Sequence, residues 1–144
     1  MAAYLSFVMD EDLAQSTASA VDIFDQDNFG GTISKTDTVS ANNVTFTAST
    51  GRFVLVPVGK FLVCLGLLCV RENTDGNMLV TIKQNGSAIF SKYFHCNAND
   101  MTRINVCVIV GTTVASEYLN FEINTDGAET GLSKSGTSIS IHQI

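Results

Sequence analysis

The chain has 144 residues, with eight basic and fourteen acidic side chains, which gives a formal net charge of −6. A chain of this length fits a single domain that buries about two thirds of its unfolded surface. An acidic protein opposes the counterion release that drives nucleic-acid binding, so we expect neither DNA nor RNA as a partner. No basic leader and no apolar run of membrane-spanning length occurs, so we expect a soluble chain made in a cytoplasm, with no membrane partner.

The elements are predicted from the periodicity of apolar residues. Alternation over residues 4–9 predicts a first strand, which the acidic run 10–12 ends. Residues 13–43 are rich in Ser, Thr, Asp, Asn and Gly, and are predicted to form a long polar excursion with short edge strands. Residues 44–144 are predicted to form the core of the domain, which spans residues 1–144.

Eight further strands are predicted, and none of their sequences has a helical period. They cover residues 44–47, 52–56, 61–70, 78–84, 87–94, 103–110, 118–124 and 138–144. Pro57, the only proline, favours a type I turn and a hairpin between the second and third of these strands. Valine, isoleucine, threonine and phenylalanine are frequent in this chain, and they suit pleated, half-buried surfaces. The sequence therefore predicts an all-β fold built as an antiparallel two-sheet sandwich.

The strand at 61–70 is apolar on both faces, which is unusual in a small sandwich. One face carries Phe61, Val63, Leu65 and Leu67, and the other carries Leu62, Cys64, Leu68 and Val70. Each sheet of a two-sheet sandwich normally keeps one face in water, so the second face needs a cover. Either a neighbouring segment of the same chain or another subunit could supply it.

Asn85-Gly86 is a strong hairpin signal, because a type I′ turn needs positive φ at both central residues. A two-residue loop is expected to set Lys83 opposite Ala88. It is also expected to set Ile82 opposite Ile89, and Thr81 opposite Phe90.

The four cysteines are expected to be reduced. Cys64 and Cys69 lie five apart on one predicted strand, where their side chains point to opposite faces and cannot bridge each other. With no export signal, Cys64, Cys69 and Cys107 are expected to act as small buried hydrophobic residues. The sequons at Asn43 and Asn85 are then expected to be chance matches.

The catalytic and metal-binding motifs in this sequence lack residues that the motifs require. His95 beside Cys96 lacks the paired spacing of a zinc site, and the loop that begins at Asp25 has Phe29 and Thr36 where calcium ligands are needed. No nucleophile elbow occurs, and Cys96 is only a weak candidate nucleophile. We therefore expect no enzyme activity, no catalytic residue, no metal and no cofactor.

The order of these elements resembles the C1q/tumour-necrosis-factor-like jelly-roll family. The resemblance covers residues 44–144, and runs through T-G-R-F-x-x-x-P-x-G-K-F, a long apolar strand, the Asn-Gly hairpin, and the closing TSISIHQI. It implies a homotrimer in which apolar residues of one sheet meet at the three-fold axis. The candidate residues for the trimer interface or core are Phe61, Val63, Leu65, Leu67, Leu119, Phe121 and Ile123. Phe61 stands where the family usually has tyrosine, and the collagen-like stalk of C1q proteins is absent.

Domains of this shape also occur in bacteriophage head-decoration proteins and fibre knobs. By this analogy the chain is expected to be a virion protein, a homotrimer that binds the major capsid protein or other virion proteins and stabilises the capsid surface. The alternative is a fibre-knob or C1q-like module that binds a glycan or cell-surface receptor through exposed loops. The candidate partner-binding residues are Asn73, Asp75, Asn97, Asp100, Asp126 and Glu129.

Overall fold

The computed structural model describes residues 2–9, 13–15, 20–25, 36–47, 49–126, 130–132 and 137–144. Within these residues the secondary structure consists of β-strands, without helix. The strands are β1 (Tyr4–Met9), β2 (Leu13–Gln15), β3 (Val21–Asp22), β4 (Thr36–Asn42), β5 (Val44–Thr47), β6 (Arg52–Leu55), β7 (Gly59–Arg71), β8 (Gly76–Gln84), β9 (Ser87–Cys96), β10 (Met101–Thr112), β11 (Glu117–Asn124), β12 (Thr130–Leu132) and β13 (Ser138–Gln143).

The first sheet is organised around the long strand β7. On one edge, β7 pairs with β10 along its whole length; on the other, it pairs first with β13 and then with β12. Beyond β13 lie β1 and then β4, and β2 pairs with β12. The second sheet has the order β5-β6-β11-β8-β9, with β3 beside the far half of β11. All strand pairs in both sheets are antiparallel, so the predicted all-β, two-sheet jelly-roll architecture is confirmed.

The core lies between the two sheets and is densest around three aromatic rings. Phe24, Phe53 and Phe121 are fully buried and meet edge to face, with ring centroids 5.4–5.9 Å apart. Such T-shaped pairs contribute about 0.5–1.5 kcal/mol each beyond the area they bury. Ile23 and Phe24 thus anchor part of the long polar excursion to the second sheet.

Two local predictions are wrong. β6 and β7 do not form a hairpin, because β6 belongs to the second sheet and β7 to the first, so the chain around Pro57 crosses between sheets. The Asn85-Gly86 turn has positive φ at both residues, as predicted, and Lys83 lies opposite Ala88. A β-bulge then shifts the register, so Ile82 lies opposite Phe90 and not Ile89. Thr81 is shifted in the same way and lies opposite Ser91.

In the described part of the chain, no helix is long and apolar enough to cross a membrane.

Candidate functional site

The outward face of the first sheet carries few charges along its three central strands. Alternate residues of β1, β13 and β7 point outward there. They are half-buried or exposed, whereas the residues between them are buried in the core. We call these outward positions the uncharged face: Tyr4, Ser6, Ser138, Ser140, His142, Leu62, Cys64, Gly66, Leu68 and Val70. Asp, Glu, Lys and Arg are absent from this set, and the exposed Lys60 continues the same parity at the start of β7. The set is depleted in charge, as the cores of protein interfaces are.

One row of side chains crosses this face and continues onto the neighbouring strand β10; it is apolar, aromatic and accessible. Ile109 of β10 lies opposite Leu62, Leu62 lies opposite His142, and His142 lies opposite Tyr4. Ile109 is 65% exposed and Leu62 is 37% exposed, while the rings of Tyr4 and His142 stack with centroids 6.4 Å apart. The row therefore offers a continuous strip of side chains for contact across the sheet.

The seven residues that the sequence suggested for the trimer interface or core point to the inner side of their strands, not to the uncharged face. Phe61, Val63, Leu65 and Leu67 are at most 1% exposed and point between the sheets, as do the fully buried Leu119, Phe121 and Ile123. All seven belong to the core within one subunit. The face that a second subunit could cover is the one with Leu62, Leu68 and Val70.

The expectation that all cysteines are reduced is wrong for two of them. Cys64 and Cys107 form a disulfide across β7 and β10, where they lie directly opposite each other with Cα atoms 4.1 Å apart. This spacing is close to that of the narrow pairs of an antiparallel ladder. Cys107 is exposed and Cys64 is half-buried, so neither is a buried hydrophobic residue. Cys69 is free and buried, as predicted.

Three loops meet at one end of the sandwich, and they contain five of the six candidate partner-binding residues. The Asn99 side chain accepts a hydrogen bond from the Asn73 N–H at 3.2 Å, and the Asp75 carboxylate accepts one from the Ala98 N–H at 2.7 Å. Loops 72–75 and 97–100, which carry Asn73, Asp75, Asn97 and Asp100, are therefore joined. Asp126 lies in the third loop. Glu129 lies outside the described residues.

The buried Arg71 side chain connects these loops through hydrogen bonds. Its side chain is only 5% exposed and donates to three backbone carbonyls: Nε to Thr74 at 3.1 Å, and Nη1 to Asn77 at 3.3 Å and to Thr125 at 2.6 Å. The Arg71 carbonyl in turn accepts from the Asn99 N–H at 2.7 Å. This buried guanidinium thus fixes the shape of the loop end.

A pocket of about 340 Å³ opens beside Arg71. It is lined by Arg71, Asp75, Gly76, Asn77, Leu79, Tyr93, Asn124 and Asp126. Of these, only Asp75 and Asp126 are among the partner-binding residues predicted from the sequence. Arg71 had a detectable signal, because it occupies the core-facing parity of β7, where a charged residue needs special partners.

A second, more open groove of about 400 Å³ lies on the outer face of the second sheet. Lys83 and Glu122 form an ion pair there at 2.7 Å, and the Arg52 guanidinium lies 4.0 Å from the centre of the Tyr118 ring. At its edge, burial raises the pKa of Asp22 to about 7, although hydrogen bonds from the Asn120 side chain and the Phe24 N–H favour the charged form. This face is charged and polar, in contrast to the uncharged face.

The residues considered for chemistry are separated from one another or held in structural contacts. Cys96 is 1% exposed whereas the preceding His95 is exposed, so the two do not converge on one ligand. Hydrogen bonding to Cys69 lowers the pKa of Cys96 to about 6, and the same contact, with burial, raises the pKa of Cys69. Glu117 is held by the Thr113 N–H at 2.6 Å, which lowers the pKa of its carboxyl. Among the described residues, no group of three acidic, His or Cys side chains could hold a metal.

Comparison with solved structures gives the class of fold. The chain superposes on the crystal structure of murine APRIL at pH 5.0 with a TM-score of 0.71 and 11% identity, covering all of both chains. It superposes on Eiger TNF from S. frugiperda with a TM-score of 0.72 and 9% identity, covering 99% of this chain and 92% of that one. No protein-family description and no curated protein matches the sequence. The protein therefore has a C1q/TNF-like jelly-roll fold, and at these identities the likeness concerns the fold alone.

Proposed function

We propose that this chain is a single-domain, non-enzymatic jelly-roll module that functions as a homotrimer, with the uncharged face as its subunit interface. The observation that carries this proposal is the contrast between the two sheets. The outer face of the second sheet has the Lys83–Glu122 ion pair and Arg52 over Tyr118. The uncharged face instead exposes Leu62 to water, and Ile109 of β10, directly opposite Leu62, is exposed beside it.

Association would remove this apolar strip from water. Fully burying a leucine or isoleucine side chain is worth about 1.5–3 kcal/mol, and an exposed apolar strip bordered by polar residues is typical of interaction surfaces. The polar groups of Ser138, Ser140 and His142 can form hydrogen bonds across such a contact without a buried net charge. The uncharged face thus combines apolar area with polar groups whose burial costs little free energy when they form hydrogen bonds.

The test is a charge placed in the proposed interface. Leu62→Asp and Ile109→Asp would each bury an unpaired carboxylate on association, so both variants are expected to be monomeric. The control is Val114→Asp, because Val114 is 61% exposed in the turn between β10 and β11 and is not part of the uncharged face. Native mass spectrometry of the folded variants measures the outcome. Interface variants that keep the mass of the wild-type assembly would refute this interface.

As the particular role of the trimer, we propose capsid decoration: binding to the major capsid protein and stabilising the outer surface of a phage head, after synthesis in the host cytoplasm. The analogy with virion proteins of the same jelly-roll shape supports this role. The Cys64–Cys107 disulfide is compatible with a released virion, because disulfides form and persist in oxidising environments outside the cell. Mass spectrometry of purified virions should find the chain in stoichiometric amount with the capsid protein, and its absence from them would refute the role.

A second role, recognition of a glycan or cell-surface protein, is favoured by a separate observation. Loops 72–75, 97–100 and 125–126 converge at one end of the sandwich and are fixed there by Arg71. Binding residues commonly lie on loops that a rigid scaffold positions. A glycan array and a screen of cell-surface proteins test this role, and a chain that binds no member of either set would refute it.

A further inference from the structure

The Arg71 side chain has two donors that its own chain does not use. Arginine has five N–H groups, and the bonds to Thr74, Asn77 and Thr125 use those of Nε and Nη1. Among the described residues, Nη2 makes no hydrogen bond, and no carboxylate lies within ion-pair distance of the guanidinium. Nη2 is not among the buried polar atoms that lack a partner, so water can reach it, and its two donors are available to an added acceptor.

Gly76 leaves the space that this guanidinium occupies. A Cβ atom at Gly76 would lie 2.6 Å from Nη2, 2.7 Å from Cζ and 2.8 Å from Nε of Arg71. These nearly equal distances mean that the guanidinium plane lies flat against the Gly76 backbone. Three hydrogen bonds at its other edges complete the fixation. The free donors of Nη2 are therefore pre-organised, and a ligand would not have to restrain a flexible side chain.

The pocket beside Arg71 is lined by groups that complement a hydrogen-bond donor. Asp75 and Asp126 supply carboxylate oxygens, and Asn77 supplies an amide. Tyr93 adds a ring that is 66% exposed. The pocket volume of about 340 Å³ lies in the range of small-molecule sites. The walls therefore combine hydrogen-bond acceptors, amide groups, a fixed donor and an aromatic surface.

The charges of the pocket select among ligand classes. Two carboxylates face one guanidinium, so a dianion such as phosphate would be repelled more than it is attracted. A hydroxyl group both donates and accepts, so a ligand rich in hydroxyls can donate to Asp75 and Asp126 and accept from Nη2 without adding charge. We propose that this pocket binds a neutral saccharide unit, with one sugar face stacked on Tyr93. The proposal rests on the recognition role and is independent of the trimer.

The first experiment is a titration followed by ¹H–¹⁵N NMR spectra of the full chain. The probes are neutral monosaccharides and disaccharides, with N-acetylneuraminic acid and inorganic phosphate for comparison. Each is added up to roughly 50 mM, far above a 1 mM dissociation constant. A neutral sugar is expected to shift the amide signals of residues 71–79, 93 and 124–126. Absence of shifts with every neutral sugar, or shifts only with the acidic probes, would overturn the assignment.

Variants then separate the pocket from the rest of the surface. Tyr93→Ala should weaken sugar binding at least tenfold and Tyr93→Phe by no more than about twofold, because the phenylalanine ring keeps the stacking surface. Asp126→Ala should weaken it about tenfold through the lost hydrogen bonds to a charged acceptor. The control is Ile89→Ala, an exposed residue of the same strand as Tyr93, which should bind as the wild type does.

The outcomes distinguish the failure of the pocket from the failure of the recognition role. Binding on a glycan array that Tyr93→Ala and Asp126→Ala leave unchanged would overturn the pocket and keep recognition. Binding to cell-surface proteins without any sugar-dependent shift would do the same. No binding in any of these experiments would overturn both. A monomer that binds a neutral sugar at these residues would support the pocket and refute only the trimer.

Discussion

Gly76→Ala is the sharpest test of how Arg71 organises the loop end. The added methyl group would lie 2.6–2.8 Å from three atoms of the buried guanidinium, which is shorter than a normal van der Waals contact. Overpacking of this kind costs about 1–3 kcal/mol. Displacing Arg71 would also weaken its three hydrogen bonds to carbonyls, where a bond to a charged group is worth about 1.5–3 kcal/mol. Partial relaxation leaves an expected loss of about 2–4 kcal/mol in the free energy of unfolding.

Gly111→Ala is the matched control, because a Cβ atom there would meet nothing within 4 Å in the subunit. Urea denaturation at one fixed protein concentration measures both variants, since the stability of an oligomer depends on concentration. With a urea slope of about 2 kcal/mol/M, Gly76→Ala should lower the midpoint by about 1–2 M, and Gly111→Ala should change stability by less than about 0.5 kcal/mol. Equal stability of the two variants would refute the fixed position of Arg71.

Three further predictions concern other parts of the molecule. The pKa of Asp22 is raised to about 7 by burial, so its contribution to stability is complete below its ordinary pKa near 4 and is lost as the pH rises through 7. Urea denaturation at pH 5 and pH 8 should find the wild type less stable at pH 8, by at most about 3 kcal/mol. Asp22→Asn should reduce this difference, and an unchanged difference would contradict the assignment. The Cys64–Cys107 disulfide joins residues 43 apart in sequence, so Cys64→Ser should lower the free energy of unfolding by about 4 kcal/mol by the chain-entropy relation. Non-reducing mass spectrometry should find one disulfide in the wild type, and four free thiols in air-oxidised protein would contradict it. Gly86→Ala places a side chain at φ +84°, so it should destabilise the hairpin by about 1 kcal/mol, and thermal melting that matches the wild type would refute a type I′ turn.

The strands could be predicted from the sequence because most of them are buried on one side only. Alternation located β10 and β11 to within a few residues, since core-facing and water-facing positions differ in polarity. The strand at 61–70 lacked that contrast, so its sequence could not tell which face belongs to the core. Contacts with the second sheet decide this, and they place Phe61 inside and Leu62 outside.

Non-local register could not be predicted from the sequence. The Cys64–Cys107 disulfide depends on the pairing of β7 with β10, and the bulge beside Lys83 depends on how β9 packs on β8. The pocket combines residues from β7, β8, β9 and the chain around Asp126. Sequence analysis found two acidic residues of this pocket because they lie in polar loops, and it missed Arg71 and Tyr93 because both lie in strands.

The mass of the native protein in dilute solution tests the central claim most directly. Sedimentation-velocity or native mass measurements, with and without a reducing agent, should give three times the 15.4 kDa mass of the chain at nanomolar to micromolar concentration. Because the disulfide lies within one chain, the reducing agent should not change that mass. A particle of 15.4 kDa under both conditions would contradict the account, since the uncharged face would then have no subunit to cover it.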